Sequence, residues 1–96
     1  MGMREHILMQ AKRIVEGSRD EDYGTPERNF GRIANLWTNY TGRVFTETDV
    51  AVMMILLKVS RIKESPDRED HWIDIAGYAA CGAEVSILPE LDGCAD

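Results

Sequence analysis

The sequence has no basic stripe. Its formal charge is −6, and the acidic residues are spread along the chain and thickened at Asp20 to Asp22 and in the tail. Nothing is placed to neutralise the phosphates of duplex DNA, so direct duplex binding is excluded. A long apolar run is missing too: the longest, Val50 to Leu57, falls far short of the roughly 20 residues that span a bilayer. Met1 to Gln10 carries charges where a secretory leader needs an apolar core, which leaves a cytoplasmic protein with no membrane partner as the expectation. Cysteine is scarce. Cys81 sits inside a helical pattern and Cys94 in the tail, a poor disulfide framework. Together with His6 and His71 they lack the paired spacing of structural zinc sites. There is no internal repeat, low-complexity segment or second domain.

What is present is an ordinary globular composition, 44% hydrophobic and 29% charged over 96 residues, enough for one domain with a small core. The punctuation predicts an all-α, four-helix bundle. Ile7, Leu8, Ala11, Ile14 and Val15 lay one stripe along a first helix, Met3 to Glu16, stopped by Gly17. The polar segment from Ser18 to Gly24 has no period and reads as a long connection. Thr25 followed by Pro26 opens a second helix, carrying Phe30, Ile33, Ala34, Trp37 and Tyr40 and closed by Gly42. Gly31 inside it suggests close packing against a neighbour.

Thr46 and Asp49 approximate a capping box at the head of a third helix that runs to about Lys63 and ends at Ser65-Pro66. Its middle is apolar nearly all round, more than one core can cover. A homo-oligomer, most simply a dimer, is therefore expected. A fourth helix is predicted from about Arg68 to Ser86, with a loose tail beyond residue 87. Its small residues, Ala76, Gly77, Ala79, Ala80, Gly82 and Ala83, suit a close antiparallel approach by the third helix.

Those last two helices carry the candidate chemistry. Lys58 and Arg61 sit three apart on an apolar helix, whereas Asp70, Asp74 and Tyr78 fall at i, i+4 and i+8 on the next. Two readings follow. In one, Asp74 pairs with Lys58 or Arg61 as a seam that fixes the hairpin's register. In the other, Asp70 and Asp74 hold a divalent cation such as Mg²⁺ while Lys58 and Arg61 meet phosphate oxygens. Asp22, Tyr23 and Asn29 would then close the pocket from the loop and second helix. His71 falls about 100° off the Asp70 face and reads as a surface or interface histidine. Trp72 reads as a core or dimer contact.

The strings DEDYGTPERNFGRIANLW, DVAVMMILLKVSRI and DREDHWIDIAGYAACGAE resemble a small uncharacterised family common in bacteriophages. Its pattern is DYG, then N-F, then W, then K-x-x-R, then D-x-x-x-D-x-x-x-Y. For a phage-encoded chain the cytoplasm in question is the host's. More distantly, a helix ending in Asp before an apolar run with Tyr is similar to the second motif of the MazG-like all-α NTP pyrophosphohydrolases, Mg²⁺-dependent helical oligomers. That likeness implies a MazG-like bundle. The chain departs from it where that superfamily carries Glu-x-x-Glu, since Lys58 and Arg61 stand there. It departs again at Glu-x-x-Asp, which becomes His71 and Asp74. Three functions are thus weighed: a non-catalytic nucleotide or phosphate binder, a Mg²⁺-dependent nucleoside triphosphate pyrophosphohydrolase, and an inhibitor that binds a host protein.

Overall fold

Four helices follow one another along the chain: α1 (Met3–Glu16), α2 (Pro26–Thr41), α3 (Glu47–Glu64) and α4 (Glu69–Cys94). The computed structural model describes residues 2–17 and 24–94, with side chains through Ile87. No strand occurs among the described residues.

Each boundary has a local cause. The Thr25 hydroxyl accepts from the Arg28 amide at 3.4 Å, and Pro26 occupies the first turn of α2. At the other end of α2, Gly42 adopts φ 76° and donates its N–H to the Thr38 carbonyl, a left-handed cap that glycine alone adopts without strain. The capping box of α3 is closed in both directions. Asp49 N–H donates to the Thr46 hydroxyl at 3.2 Å, and Thr46 N–H donates to the Asp49 carboxylate at 2.9 Å. Aspartate thus does the work more often given to glutamate, at a site where a capping side chain stabilises by about 1 kcal/mol. Ser65 ends α3, its N–H returning to the Arg61 carbonyl. The tail differs from the punctuation: α4 continues through Pro89 to Cys94, where an end near Ser86 was expected. A proline removes one helical donor and bends a helix before it necessarily ends it.

The core is small. Phe30 and Ala34 of α2 pack on Val50 and Ala51 of α3, ringed by Ile33, Trp37, Phe45, Met54, Tyr78 and Val85. Ala11 and Ile73 are also buried. Trp37 and Phe45 meet edge to face at 5.7 Å, and the Phe45 amide donates to the Thr38 hydroxyl, which ties the α2–α3 connection back onto α2.

The small residues of α4 serve two neighbours rather than the one expected. Gly82 faces α3 so closely that an added Cβ would lie 2.8 Å from the Ala51 Cβ. Gly77 faces α1, where the same atom would lie 3.7 Å from a Val15 methyl. So α3 and α4 form an antiparallel hairpin, α2 lies across it, and α1 docks on α4. Gly31 does pack against a neighbour, the first residue of α3. Its open side faces the Glu47 carboxylate, at 3.4 Å from where a Cβ would stand.

Candidate functional site

The close approach at Gly82 sets the register of the α3–α4 hairpin. One end is tied where the Thr48 and Ser86 hydroxyls bond at 2.6 Å. Two turns beyond the Ala51–Gly82 contact, Lys58 Nζ meets Asp74 Oδ2 at 2.8 Å. The lysine side chain is 14% exposed and the aspartate 34%, so the pair is partly screened by water and partly enclosed. Of the two readings of these residues, the geometry has the seam: Asp74 answers Lys58.

Asp74 also lines a cavity of about 100 Å³ between α1, α2 and α4, with Ile14, Val15, Phe30, Gly77, Tyr78 and Cys81. The half-buried Tyr78 stacks at a tilt on Phe30, ring centres 6.4 Å apart. The cavity therefore brings Asp74 and Tyr78 together beside mostly apolar walls. Arg61 is not part of it. Its side chain is exposed and makes no ion pair among the described residues. Three residues on a helix leave two side chains about 60° apart, which is enough for Lys58 to lie inside the edge of the hairpin and Arg61 outside it.

Asp70, one turn before Asp74, points to water and stands 3.6 Å from the Arg68 guanidinium. Asn29 is half-buried in the first turn of α2, its backbone N–H donating to the Thr25 carbonyl. Asp22 and Tyr23 lie outside the described residues. For Mg²⁺ the donor set is thin. A hard cation needs six or more oxygen ligands, usually with several carboxylates or carbonyls from the protein. Here Asp74 already holds an ammonium and Asp70 a guanidinium. Among the described residues no group of three or more Asp, Glu, His or Cys side chains could share an ion. The residues described do not fit a resident Mg²⁺.

A second hollow was not foreseen. Between α1 and the α3–α4 turn lies an open groove of about 630 Å³, walled by Met3, Ile7, Leu8, Pro66 and Trp72, with Arg4, Asp67 and Glu69 at its border. Trp72 is 46% exposed, and its indole N–H donates to the Pro66 carbonyl at 3.0 Å. His6 Nε2 and the Glu69 carboxylate meet at 3.1 Å nearby, joining the two helix starts. The first-helix stripe and Trp72 were each visible in the sequence. Their meeting was not, because periodicity does not say which helix α1 returns to. His71 is half-buried, with Nδ1 shielded from water and without a partner among the described residues, so the expected surface position is only partly realised.

No helix among the described residues is long and apolar enough to cross a membrane. Comparison with known proteins gives two phage relatives. The Gene 55 protein of Mycobacterium phage L5 is 49% identical over 85 residues, which is 88% of this chain and 54% of the phage protein. That of Mycobacterium phage D29 is 42% identical over 79 residues, 82% of this chain and 52% of the phage protein. The chain thus spans about half the length of the curated relatives it matches. No solved structure matches it. The K-x-x-R and D-x-x-x-D-x-x-x-Y residues, the Lys58–Asp74 pair and all of the groove but Met3 and Arg4 fall within residues 6–86, the span matched by the profile of a domain of unknown function, DUF6378, and it is to this family that the chain belongs.

Proposed function

We propose that the chain is a non-catalytic phage accessory protein that works by docking on another protein, through the groove between α1 and the α3–α4 turn. The two phage relatives support the phage part of that reading. One observation carries the second: the groove measures about 630 Å³, within the range of about 300–1,000 Å³ typical of binding pockets, and its walls are mostly apolar. The cavity at Asp74 and Tyr78 holds about 100 Å³, too little for a nucleotide. Trp72, fixed by its bond to Pro66, is the kind of large rigid side chain that anchors protein interfaces. With two acidic residues, Asp67 and Glu69, against one basic, Arg4, at the border and a formal charge of −6 on the chain, the partner that fits is a segment of apolar side chains flanked by basic residues.

The test uses a photo-crosslinking residue at Leu8, in the groove, and another at Tyr40, 93% exposed on α2. The expected result in infected cells is one host protein labelled from position 8, not from position 40, and lost in Trp72→Ala. Equal labelling from both positions, or labelling only of a second copy, would sink the host-docking reading.

A second reading, a phosphate or nucleotide ligand, is favoured by Arg61, exposed and without an ion pair among the described residues, and by the MazG-like resemblance. Arg61 could grip phosphate through paired hydrogen bonds without a metal. Hydrolysis is not expected, because Asp74 already holds Lys58 and among the described residues no group of three or more Asp, Glu, His or Cys side chains could share a metal ion. A nucleotide panel with Mg²⁺ should release no pyrophosphate. A ligand-induced rise in melting temperature that disappears in Arg61→Ala would move the weight to this second reading, and rapid pyrophosphate release abolished by Asp74→Asn would make the protein an enzyme.

A further inference from the structure

Between Val52 and Val59 every exposed position of α3 is apolar: Val52, Met53, Leu56, Leu57 and Val59 are 41% to 58% exposed. Val52, Leu56 and Val59 fall at i, i+4 and i+7, the spacing of a helix-packing seam. The face lies about 120° around the helix from the one that packs Ala51 and Lys58 against α4; Val52 borders a shallow hollow shared with Ala79, Gly82 and Ala83, and all three seam residues stay more than 40% exposed.

The rest of the molecule also reads as one protomer of something larger. A globular monomer of 10.8 kDa should expose about 5,500 Å², whereas this chain exposes 6977 Å². Its radius of gyration is 14.6 Å against about 12.5 Å for a self-contained domain of this length.

The charges at the ends of the seam say which partner and which way round. Asp49 lies seven residues before Leu56 and Lys63 seven residues after it, each about 10.5 Å along the helix. Continuing the same spacing, both fall on the seam's own line. A second copy laid parallel would set Asp49 against Asp49 and Lys63 against Lys63. Laid antiparallel about an axis at Leu56, it sets Asp49 of each copy against Lys63 of the other. Like charges repel and opposite ones fix orientation, so the chain's own sequence selects the antiparallel arrangement. At a shallow crossing of about 20°, seven residues from the crossing point, the helices have diverged by only a few ångströms.

We infer that the chain forms an antiparallel homodimer through α3, crossing at Leu56 and clasped at both ends by Asp49–Lys63 pairs. This interface is separate from the α1 groove and does not depend on the docking function proposed above.

Sedimentation equilibrium at micromolar concentration should give a dimer. Leu56→Asp should weaken it at least a hundredfold while leaving the helical circular dichroism unchanged, since Leu56 is 58% exposed and the monomer does not need it; Val59→Lys provides a second variant with the same expected outcome. Orientation is read with a zero-length carbodiimide linker on a mixture of ¹⁵N-labelled and unlabelled protein. Asp49 and Lys63 are about 21 Å apart within one helix, so a link between them joins two copies, and half of these links should be mixed-label. A monomer at high micromolar concentration, a dimer insensitive to both substitutions, or a dimer without the Asp49–Lys63 link would each overturn the inference.

Discussion

Gly82→Val is expected to lower the melting temperature by about 10 to 20 °C. The Cβ that valine brings would stand 2.8 Å from the Cβ of Ala51, closer than real methyl carbons approach. Neither atom is the end of a flexible side chain that could swing away. Ala51 is 2% exposed and belongs to the same cluster as Val50, Phe30 and Ala34, so α3 and α4 must separate along their whole contact. Overpacking of this kind costs about 2 to 3 kcal/mol, and in a domain this small each kcal/mol moves the midpoint by about 4 to 8 °C. Gly77 supplies the contrast. Its added Cβ would meet Val15 at 3.7 Å, an ordinary contact, so Gly77→Ala should gain up to about 1 kcal/mol from helix propensity. Thermal melts at one fixed protein concentration separate the two, because the dimerisation inferred above would make the midpoint depend on concentration. A Gly82→Val protein that melts with the wild type would show that the hairpin is not packed this tightly.

Asp74→Ala should cost about 2 kcal/mol, between the small worth of an exposed ion pair and the larger penalty for a buried cation left alone. Lys58 keeps only 14% of its side-chain exposure, so its ammonium would lose its partner without regaining full hydration. Removing the cation is a different operation. Lys58→Met leaves the more exposed aspartate to water and puts an apolar side chain beside the core, and it should cost less than about 1 kcal/mol or stabilise slightly. The asymmetry is the diagnostic, read by urea denaturation of both single variants and of the double variant Lys58→Met/Asp74→Leu, which should lie near the wild type. If both single substitutions shift the midpoint negligibly, the pair is screened by water, and Asp74 is available to a ligand after all.

Both expectations rest on the α3–α4 hairpin, whose elements were legible because each is announced by local chemistry. Thr25-Pro26, Thr46 with Asp49, and Ser65-Pro66 each state a helix start or stop within one turn of sequence, and the structure places its boundaries there. That Asp74 faces Lys58 or Arg61 was legible only as one of two readings, since the four residues between α3 and α4 make the helices antiparallel neighbours without saying whether the facing charges pair or hold a ligand. Which cation it took was not. That depends on where the edge of the hairpin falls across a 60° step, and Lys58 and Arg61 straddle it. The α1 groove was hidden for another reason. A helical stripe states that a face is apolar without saying how far the partner covers it, and on α1 only Ala11 is fully buried while Leu8 remains 65% exposed.

The docking of α1 on α4 has a consequence for how the chain acquires its shape. Its partner in space is the helix farthest from it in sequence, with α2 and α3 lying between. By contrast, α3 and α4 are joined by Ser65 to Arg68 and can meet after closing a very short loop. Closure entropy grows with the length enclosed, so the hairpin is the natural nucleus and the return of α1 a late step that seals the Asp74 cavity and builds the groove together. By the same logarithm, doubling the length of chain between α1 and α2 would cost only about 0.6 kcal/mol of closure entropy. Sequence can therefore be inserted ahead of Thr25 with little effect on the hairpin, while the two hollows that depend on α1 respond first to any change in how it is tethered.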